Sequence, residues 1–286
     1  MTIREAFSGF VSQLLAVYEE NEAKNIGKIV FEDTFNLRHF SSENIFLHEK
    51  KMSQILNKLL KNEPVQYVLE EADFYGLKFF VNRSVLIPRQ ETEELVHLIL
   101  QKYPKPLTVY PISVLDIGTG SGCIAVTIQK KRPTFDVWAI DFSESALKIA
   151  RQNANRHETD VRLVCSDILN KENWTQFPDF HIIVSNPPYI ANKEKELMSA
   201  NVLDFEPHEA LFVSDENSLL FYETIAAFSI LKLRPDGTLF FECNEFNAPQ
   251  VVELLQSKGF CDVTLHTDMQ GKHRMVEAKI KKLLPL

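Results

Sequence analysis

HIIVSNPPYI, at residues 181–190, is the most informative stretch of the chain, because a buried strand stops within it at a defined point. Its apolar first half predicts the strand. Pro187 and Pro188 lack the backbone N–H that a strand ladder needs, and the residue before a proline is held in extended geometry. The strand therefore ends at Asn186. Open α/β sheets bind ligands at this end of their strands, so Asn186 and Tyr189 are candidates for a functional site. In the alternative interpretation, this is a proline-rich loop in which Asn186 only caps the strand.

Segments typical of strands and helices alternate on both sides of this stretch. Apolar runs predict strands at residues 114–117, 135–140, 161–165, 182–185, 238–242, 263–266 and 275–278. Helical periodicity occupies most of the intervals, at residues 124–130, 146–154, 219–233 and 251–255. Such alternation predicts parallel strands with right-handed crossovers, and hence a doubly wound α/β domain. Because a short polar turn joins the last two strands, we expect that pair to be antiparallel.

A glycine-rich turn, DIGTGSG at residues 116–122, follows the first strand of this domain. Glycines let the backbone turn sharply and approach a ligand closely. A strand, a glycine turn and a helix in succession are typical of a nucleotide-cofactor site. The candidate cofactor-binding residues of this turn are Gly118, Thr119, Gly120, Ser121 and Gly122. By itself the turn does not distinguish NAD from S-adenosylmethionine.

Two acidic residues follow the next two strands. Asp141 ends the second strand, where its carboxylate can accept hydrogen bonds from the ribose hydroxyls of either cofactor. Asp167 follows the third strand, where it can meet an adenine amino group. Its neighbour Ile168 and Asn186, at the end of the fourth strand, complete the candidate cofactor-binding residues. The alternative for Asp167 is a helix cap or a turn residue.

The first 65 residues or so predict a small helical bundle, because apolar side chains recur there at spacings of three and four. From Asp73 the period becomes two, which predicts a connecting β-hairpin with its turn near residues 82–84. We expect Thr92 or Gln90 to cap the helix that follows. These changes divide the chain into a helical domain that holds the substrate, a hairpin linker and the α/β domain, at residues 1–70, 71–90 and 91–286.

Composition excludes several classes of protein. The 286 residues are 45% hydrophobic and carry a net charge of −8, without the basic surplus of a general nucleic-acid binder. No apolar run reaches the roughly 20 residues of a membrane span, and no signal core is visible, so we expect a cytoplasmic protein. We also expect a monomer, although the sequence does not encode the oligomeric state. The cysteines form no CxxC pair, which predicts buried thiols and no metal site; they are Cys123, Cys165, Cys243 and Cys261.

The combination of motifs resembles one family over nearly the whole chain. A glycine turn after strand one, an acid after strand two and NPPY after strand four resemble methyltransferases that act on planar nitrogens. Further motifs extend the likeness, namely PVQY, FYG, LIPR, ETE, FEP and FY at residues 64–67, 74–76, 86–89, 91–93, 205–207 and 221–222. Together they resemble the peptide chain release factor N5-glutamine methyltransferases.

The resemblance implies a fold, a cofactor and a substrate. The implied fold is a helical N-terminal domain, a hairpin and a seven-stranded methyltransferase domain that uses S-adenosylmethionine. The implied reaction is methylation of the glutamine in the GGQ motif of bacterial class 1 release factors. Nucleic acid and membranes are not expected as partners.

The chemistry of the amide suits the residues of NPPY. An amide nitrogen is a poor nucleophile, since its lone pair is delocalised into the carbonyl. The Asn186 side-chain oxygen and the Pro187 carbonyl can accept its two N–H groups, aim the nitrogen and stabilise the charge that develops on it. Pro188 stiffens this loop, and we expect Tyr189 to pack on the flat amide. Asn186, Pro187 and Tyr189 are therefore the candidate catalytic residues, and with Pro188 they form the candidate substrate site.

Two other functions remain open at this point. The NPPY apparatus would serve the exocyclic amine of adenine equally well, so an adenine N6 methyltransferase is the enzyme alternative. Acidic charge and the lack of a visible target-recognition domain disfavour it. The non-enzyme alternative is a cofactor-binding adaptor without activity, and the intact NPPY disfavours that.

The sequence departs from the usual pattern of the family at four places. They are Gln90 within RPETE, His181 before the fourth strand, Val213-Ser214 in place of a glycine pair, and Cys243-Asn244 after Glu242. None removes a proposed ligand. The long segment at residues 191–215 predicts a mobile lid over the substrate.

Overall fold

A computed structural model describes residues 2–34, 49–104 and 111–280. The chain forms two compact units. One comprises Met1–Glu71 and Met198–Phe205, and the other comprises Ala72–Leu197 and Glu206–Leu286.

Helices build the first unit. They are α1 (Ile3–Leu14), α2 (Glu20–Ile29) with a π-helical turn at Val30–Thr34, α3 (Glu49–Leu59), α4 (Val65–Leu69) and, from later in the chain, α8 (Ala200–Phe205). Helix α1 begins with a capping box between Thr2 and Glu5. Its apolar stripe, which includes Phe10 and Leu14, packs into a core with Leu59. The helical prediction is confirmed for the described part of this segment, and residues 35–48 lie outside it.

The hairpin has its turn earlier than the sequence pattern predicted. Strands β1 (Glu71–Phe74) and β2 (Leu77–Phe80) are joined by Tyr75 and Gly76, at φ 51° and 74°. A two-residue hairpin turn of this kind requires positive φ at both positions, which glycine supplies without strain. The predicted turn near residues 82–84 is wrong. Asn82 there accepts a hydrogen bond from the backbone of Ser84 and shapes a loop after the hairpin.

A seven-stranded sheet forms the centre of the second unit. Its strands are β3 (Ser113–Ile117), β4 (Asp136–Asp141), β5 (Arg162–Cys165), β6 (Phe180–Ser185), β9 (Leu233–Glu242), β10 (Cys261–Thr267) and β11 (His273–Lys279). The order across the sheet is β10-β11-β9-β6-β3-β4-β5. Within this sheet β11 runs opposite to the other six strands, so the parallel core and the antiparallel last pair are both confirmed. Strand β9 begins at Leu233, where the sequence pattern predicted the end of a helix.

Helices cover both faces of this sheet. They are α5 (Gln90–Lys102), α6 (Cys123–Lys131), α7 (Glu144–Arg156), α9 (Leu220–Lys232) and α10 (Ala248–Ser257). Successive residues of β6 point to opposite faces, so Ile182 and Val184 join one buried cluster and Ile183 joins the other. Burial on both faces is typical of the central strands of a doubly wound sheet, and this fold class is confirmed.

The chain order reverses across this sheet between β3 and β6. From β3 the chain proceeds outward through β4 and β5, and it returns on the other side of β3 through β6. A crevice opens at such a switch point, outside the carboxyl ends of the strands. The glycine turn and NPPY follow β3 and β6, so the topology brings them to the same crevice.

The segment predicted as a lid is ordered into short elements. It contains β7 (Ile190–Ala191), β8 (Phe212–Val213) and 3-10 turns at Asn192–Leu197 and His208–Ala210. Strands β7 and β8 pair in parallel. Its mobility stays a prediction.

Two of the four cysteines are less buried than predicted. Cys123 and Cys243 are buried, but Cys165 is exposed and Cys261 is half-buried; none forms a disulfide. Cys165 sits in an edge strand, which explains its exposure, because helices do not cover the outermost strand as fully. No helix in the described ranges is long and apolar enough to span a membrane.

Candidate active site

A cavity of about 380 Å³ occupies the switch point. This volume is within the range of roughly 300–1,000 Å³ that small-molecule sites have. Most of the predicted site residues line it, namely Gly118, Thr119, Gly120, Ser121, Asp141, Asp167, Ile168, Asn186, Pro187 and Pro188. The structure therefore brings together side chains that the sequence separates by up to 70 positions. Gly122 and Tyr189 are not among the lining residues.

The three glycines of the turn have different surroundings. All have positive φ, at 73° for Gly118, 54° for Gly120 and 80° for Gly122. A Cβ on either of the first two would meet no atom within 4 Å, whereas one on Gly122 would lie 3.1 Å from the Cβ of Ala150. Gly122 thus lets α6 approach α7 closely. Gly118 and Gly120 give the cavity a wall of bare backbone.

Asp141 connects the glycine turn to the end of β4. Its Oδ2 accepts a hydrogen bond from the Gly120 N–H at 2.9 Å, and its Oδ1 accepts one from the Ser143 N–H at 2.9 Å. Burial raises the pKa of this carboxyl, and the backbone N–H groups of Ser143, Gly120 and Phe142 oppose that rise. A carboxylate has about four acceptor positions, so Asp141 keeps acceptor capacity at the cavity wall.

A second carboxyl lies beneath the turn. Asp116 is fully buried, and its Oδ2 accepts a hydrogen bond from the Thr119 hydroxyl at 2.6 Å. Burial raises the pKa of Asp116 to about 7. The Thr119 hydroxyl is therefore committed to shaping the turn.

Asn186 is held by a hydrogen-bonded chain that the sequence pattern did not reveal. Its Nδ2 donates to Thr92 Oγ1 at 3.2 Å, and that hydroxyl donates to Glu242 Oε2 at 2.6 Å. Among the described residues, none donates a hydrogen bond to Asn186 Oδ1 or to the Pro187 carbonyl oxygen. Both oxygens are therefore open acceptors beside the cavity.

The prediction that Thr92 or Gln90 caps α5 is wrong. The N-cap is Arg89, without a side-chain cap, and Thr92 lies inside the first turn. Its hydroxyl points instead to Glu242, which is 2% exposed. Burial raises the pKa of Glu242 to about 7, although the Thr92 hydrogen bond opposes this. The ETE motif at residues 91–93 and the acidic residue Glu242 are visible in the sequence. Neither indicates that Thr92 and Glu242 form a hydrogen bond in the folded protein.

An ion pair holds the loop before α5. Arg89 Nη2 lies 2.6 Å from Glu206 Oε1, and Glu206 Oε2 accepts the Ile87 N–H at 3.4 Å. The Glu206 side chain is 1% exposed, whereas Arg89 is 36% exposed and lines the cavity. This arrangement places a fixed positive charge on the cavity wall.

Asp167 and Ile168 border the cavity in different ways. Asp167 is exposed, and its Oδ1 accepts the Leu169 N–H at 2.8 Å, as in an Asx turn. Ile168 is buried in the main core. Asp167 is thus a turn residue, as its alternative interpretation predicted, and it also faces the cavity.

Tyr189 lies beside a different cavity. It lines a neighbouring space of about 330 Å³ with polar residues that include Asn247 and Gln250. Its ring packs partly against the main core, and burial raises the pKa of its phenol. The structure does not bring Tyr189 onto the wall that Asn186 and Pro187 share, and its packing on an amide stays a prediction.

Known proteins are similar to this chain in fold and in sequence. The family model named Methyltransferase small domain matches residues 91–219. A solved methyltransferase from Pyrococcus furiosus shares the fold at a TM-score of 0.53 and 17% identity, over 82% of this chain and 99% of that one. Fold and cavity thus define a methyltransferase domain of the seven-stranded, doubly wound class.

The relatives of the whole chain are more specific. A release factor glutamine methyltransferase of Flavobacterium psychrophilum is 39% identical, over 98% of this chain and 100% of that protein. One of Bacteroides thetaiotaomicron is 39% identical over 92% and 94%. The chain belongs to the release factor glutamine methyltransferase family.

Proposed function

We propose that this chain transfers a methyl group from S-adenosylmethionine to the side-chain amide nitrogen of the glutamine in the GGQ motif of bacterial class 1 release factors. The observation that carries the proposal is a pair of open acceptors, Asn186 Oδ1 and the Pro187 carbonyl, on the wall of the same cavity as the glycine turn. A primary amide has two N–H donors on one nitrogen, which this pair can accept together. Membership of the family supports the glutamine substrate.

The residues of the cavity fit S-adenosylmethionine. Gly118 and Gly120 offer backbone without Cβ atoms, and Asp141 offers a carboxylate that can accept hydrogen bonds from ribose hydroxyls. Asp167 faces the same space and can accept a hydrogen bond from an adenine amino group. The cofactor supplies an electrophilic methyl group on a sulfonium sulfur. NAD is not expected, because the turn occurs together with NPPY.

The residues of NPPY prepare the nucleophile. Asn186 and Pro187 accept the two amide N–H groups, which aims the nitrogen and stabilises the positive charge that develops on it. Because both acceptors are fixed before the substrate arrives, little reorganisation is needed at the moment of transfer. The excess proton then leaves the nitrogen to water, so no strong base is required beforehand.

The helical unit is proposed to hold the protein substrate. It has its own hydrophobic core, and within its described residues the apolar side chains of Leu15, Val17 and Ile29 are exposed. Such side chains can contribute to a protein interface. The proposed domain bounds remain residues 1–70, 71–90 and 91–286.

The experiment that tests the function offers two substrates to the enzyme side by side. Purified release factor and duplex DNA are incubated with the full chain and labelled S-adenosylmethionine. We expect label on the GGQ glutamine, located by mass spectrometry, and none on DNA. Label on adenine alone would favour the adenine N6 alternative, and label on neither substrate would favour the inactive adaptor.

A further inference from the structure

We propose that Thr92 and Glu242 are positioning residues, which orient the Asn186 side chain so that its oxygen, and not its nitrogen, faces the substrate amide. The inference rests on the proposed function and deepens it. It stands on the continuous chain from Glu242 Oε2 through Thr92 Oγ1 to Asn186 Nδ2, at 2.6 and 3.2 Å.

The carboxylate of Glu242 sets the direction of both hydrogen bonds in this series. An ionised carboxylate only accepts hydrogen bonds, so the Thr92 hydroxyl has to donate its single proton to Glu242. The Thr92 oxygen can then only accept from Asn186, and an amide accepts or donates according to which end it presents. Asn186 must therefore present Nδ2 to Thr92 and Oδ1 to the other side.

This orientation matters because the two ends of an asparagine amide have nearly the same shape. Packing alone distinguishes them poorly, and hydrogen bonds set the choice. A reversed Asn186 would present N–H groups to the N–H groups of the substrate, which removes one of the two acceptors. Helix α5 contributes Thr92, strand β9 contributes Glu242, and the loop directly after β6 contributes Asn186, so the fold itself sets the polarity of the site.

Protonation of Glu242 would reverse the direction of the hydrogen bonds from Glu242 through Thr92 to Asn186. A neutral acid can donate to Thr92, whose own proton can then point to Asn186. The amide accepts that proton only by turning its Oδ1 to Thr92, and the substrate then loses this acceptor. The surroundings of Glu242 act in both directions: burial and Glu91 raise its pKa, whereas Arg274, Arg89 and the Thr92 hydrogen bond lower it, with a result of about 7. Turnover should therefore fall as the pH decreases through this region.

The test compares substitutions that remove the hydrogen-bonded chain, restore it, or replace its carboxylate by a neutral group. Thr92→Val keeps the shape and removes the hydroxyl, Thr92→Ser returns the hydroxyl, and Glu242→Gln removes the titration. Thr127→Val is the matched control, since Thr127 is fully buried in α6 and its hydroxyl has no hydrogen-bond partner within the described ranges. Methylation of release factor is followed from pH 5.5 to 9, and the cofactor dissociation constant is measured separately for each protein.

We expect Thr92→Val to lower kcat about tenfold to a hundredfold, as misplacement of a reacting group does. The KM for release factor and the cofactor affinity should change little, and Thr92→Ser should recover most of the lost turnover. The wild-type acid limb should be absent from Glu242→Gln.

An active wild type with kcat unchanged in Thr92→Val would overturn the inference while the proposed function stands. So would an acid limb that persists in Glu242→Gln. Equal losses in Thr92→Val and the Thr127→Val control would also overturn it, because they would show a general effect of the substitution. A wild type that does not methylate release factor would refute the proposed function itself.

Discussion

Replacing Asp141 by asparagine removes one charge without changing the shape of the side chain, and it tests the cofactor side of the site. In the structure both carboxylate oxygens accept backbone N–H groups, from Gly120 and Ser143, at 2.9 Å each. Asparagine can accept only one of them with its oxygen. Its NH₂ group would face the other N–H, so either Gly120 or Ser143 loses the acceptor of its backbone N–H.

The magnitude follows from these contacts. Asp141 is 7% exposed, so water can replace the lost acceptor only in part. Leaving one buried N–H unsatisfied costs about 1–3 kcal/mol, and hydrogen bonds to a charged group contribute about 1.5–3 kcal/mol. The unsatisfied N–H is present in the free protein as well, so that cost lowers stability, whereas affinity loses the charge-assisted part of the hydrogen bonds that the ribose hydroxyls would donate to Asp141. We therefore expect S-adenosylmethionine affinity to fall by about 1–3 kcal/mol, or roughly fivefold to 150-fold.

Calorimetric titration with S-adenosylmethionine and with NAD measures the effect. Asp136→Asn is the matched control, because Asp136 begins the strand that Asp141 ends and pairs with Arg162 away from the cavity lining. Its affinity should equal that of the wild type. Unchanged affinity in Asp141→Asn would refute the role of this carboxylate, and binding of NAD without S-adenosylmethionine would refute the choice of cofactor.

Three further predictions concern stability and substrate holding. Gly122→Ala should destabilise the protein by about 1–2 kcal/mol in urea unfolding, because φ is 80° and the new Cβ would crowd Ala150, whereas Gly9→Ala in the open interior of α1 should not destabilise it. Burial raises the pKa of Glu242 above its unfolded value of about 4.5, so its contribution to folding is complete below pH 4.5 and is lost as the pH rises through about 7. Glu242→Gln should therefore flatten the pH dependence of the unfolding free energy by up to about 3 kcal/mol over this window. An identical slope in both proteins would contradict this. Leu15→Ser should raise the KM for whole release factor without changing cofactor affinity, and an equal rise with a short GGQ peptide would argue against a docking role for the helical unit.

The parts of the site that follow directly from strand ends could be predicted from the sequence. Asp141 and Asn186 each come immediately after an apolar run, and parallel topology brings such positions to one edge of a sheet. The glycines of the turn are recognisable in the same way, since residues without Cβ gather where the backbone must bend. Their roles toward ligands remain proposals.

The parts that depend on long-range partners could not be predicted. Thr92 and Glu242 are 150 residues apart, and no periodicity connects a threonine in a helix to a glutamate at a strand end. The local pattern therefore favoured a helix cap for Thr92. Tyr189 follows two prolines whose stiffness was visible, but the direction of its ring depends on packing against the core, which the sequence does not show.

The hairpin turn illustrates a different limit. Asn82-Arg83-Ser84 is typical of turns, and it does form one, as the Ser84 N–H to Asn82 bond shows. The hairpin itself turns at Tyr75 and Gly76, where a tyrosine adopts φ 51°. Positive φ is uncommon for tyrosine, so local preference pointed to the wrong one of two adjacent turns.

The contact of Asn186 with the substrate amide is tested most directly by methyl transfer to release factor under saturating cofactor. Asn186→Ala should retain cofactor affinity and lose turnover by roughly a hundredfold to a thousandfold, the usual effect of removing one preorganised hydrogen bond from a dry site. Asn186→Asp keeps an acceptor oxygen and should retain part of the activity. Near-normal turnover in Asn186→Ala would contradict the mechanism, and NPPY would then be only a rigid end to a strand.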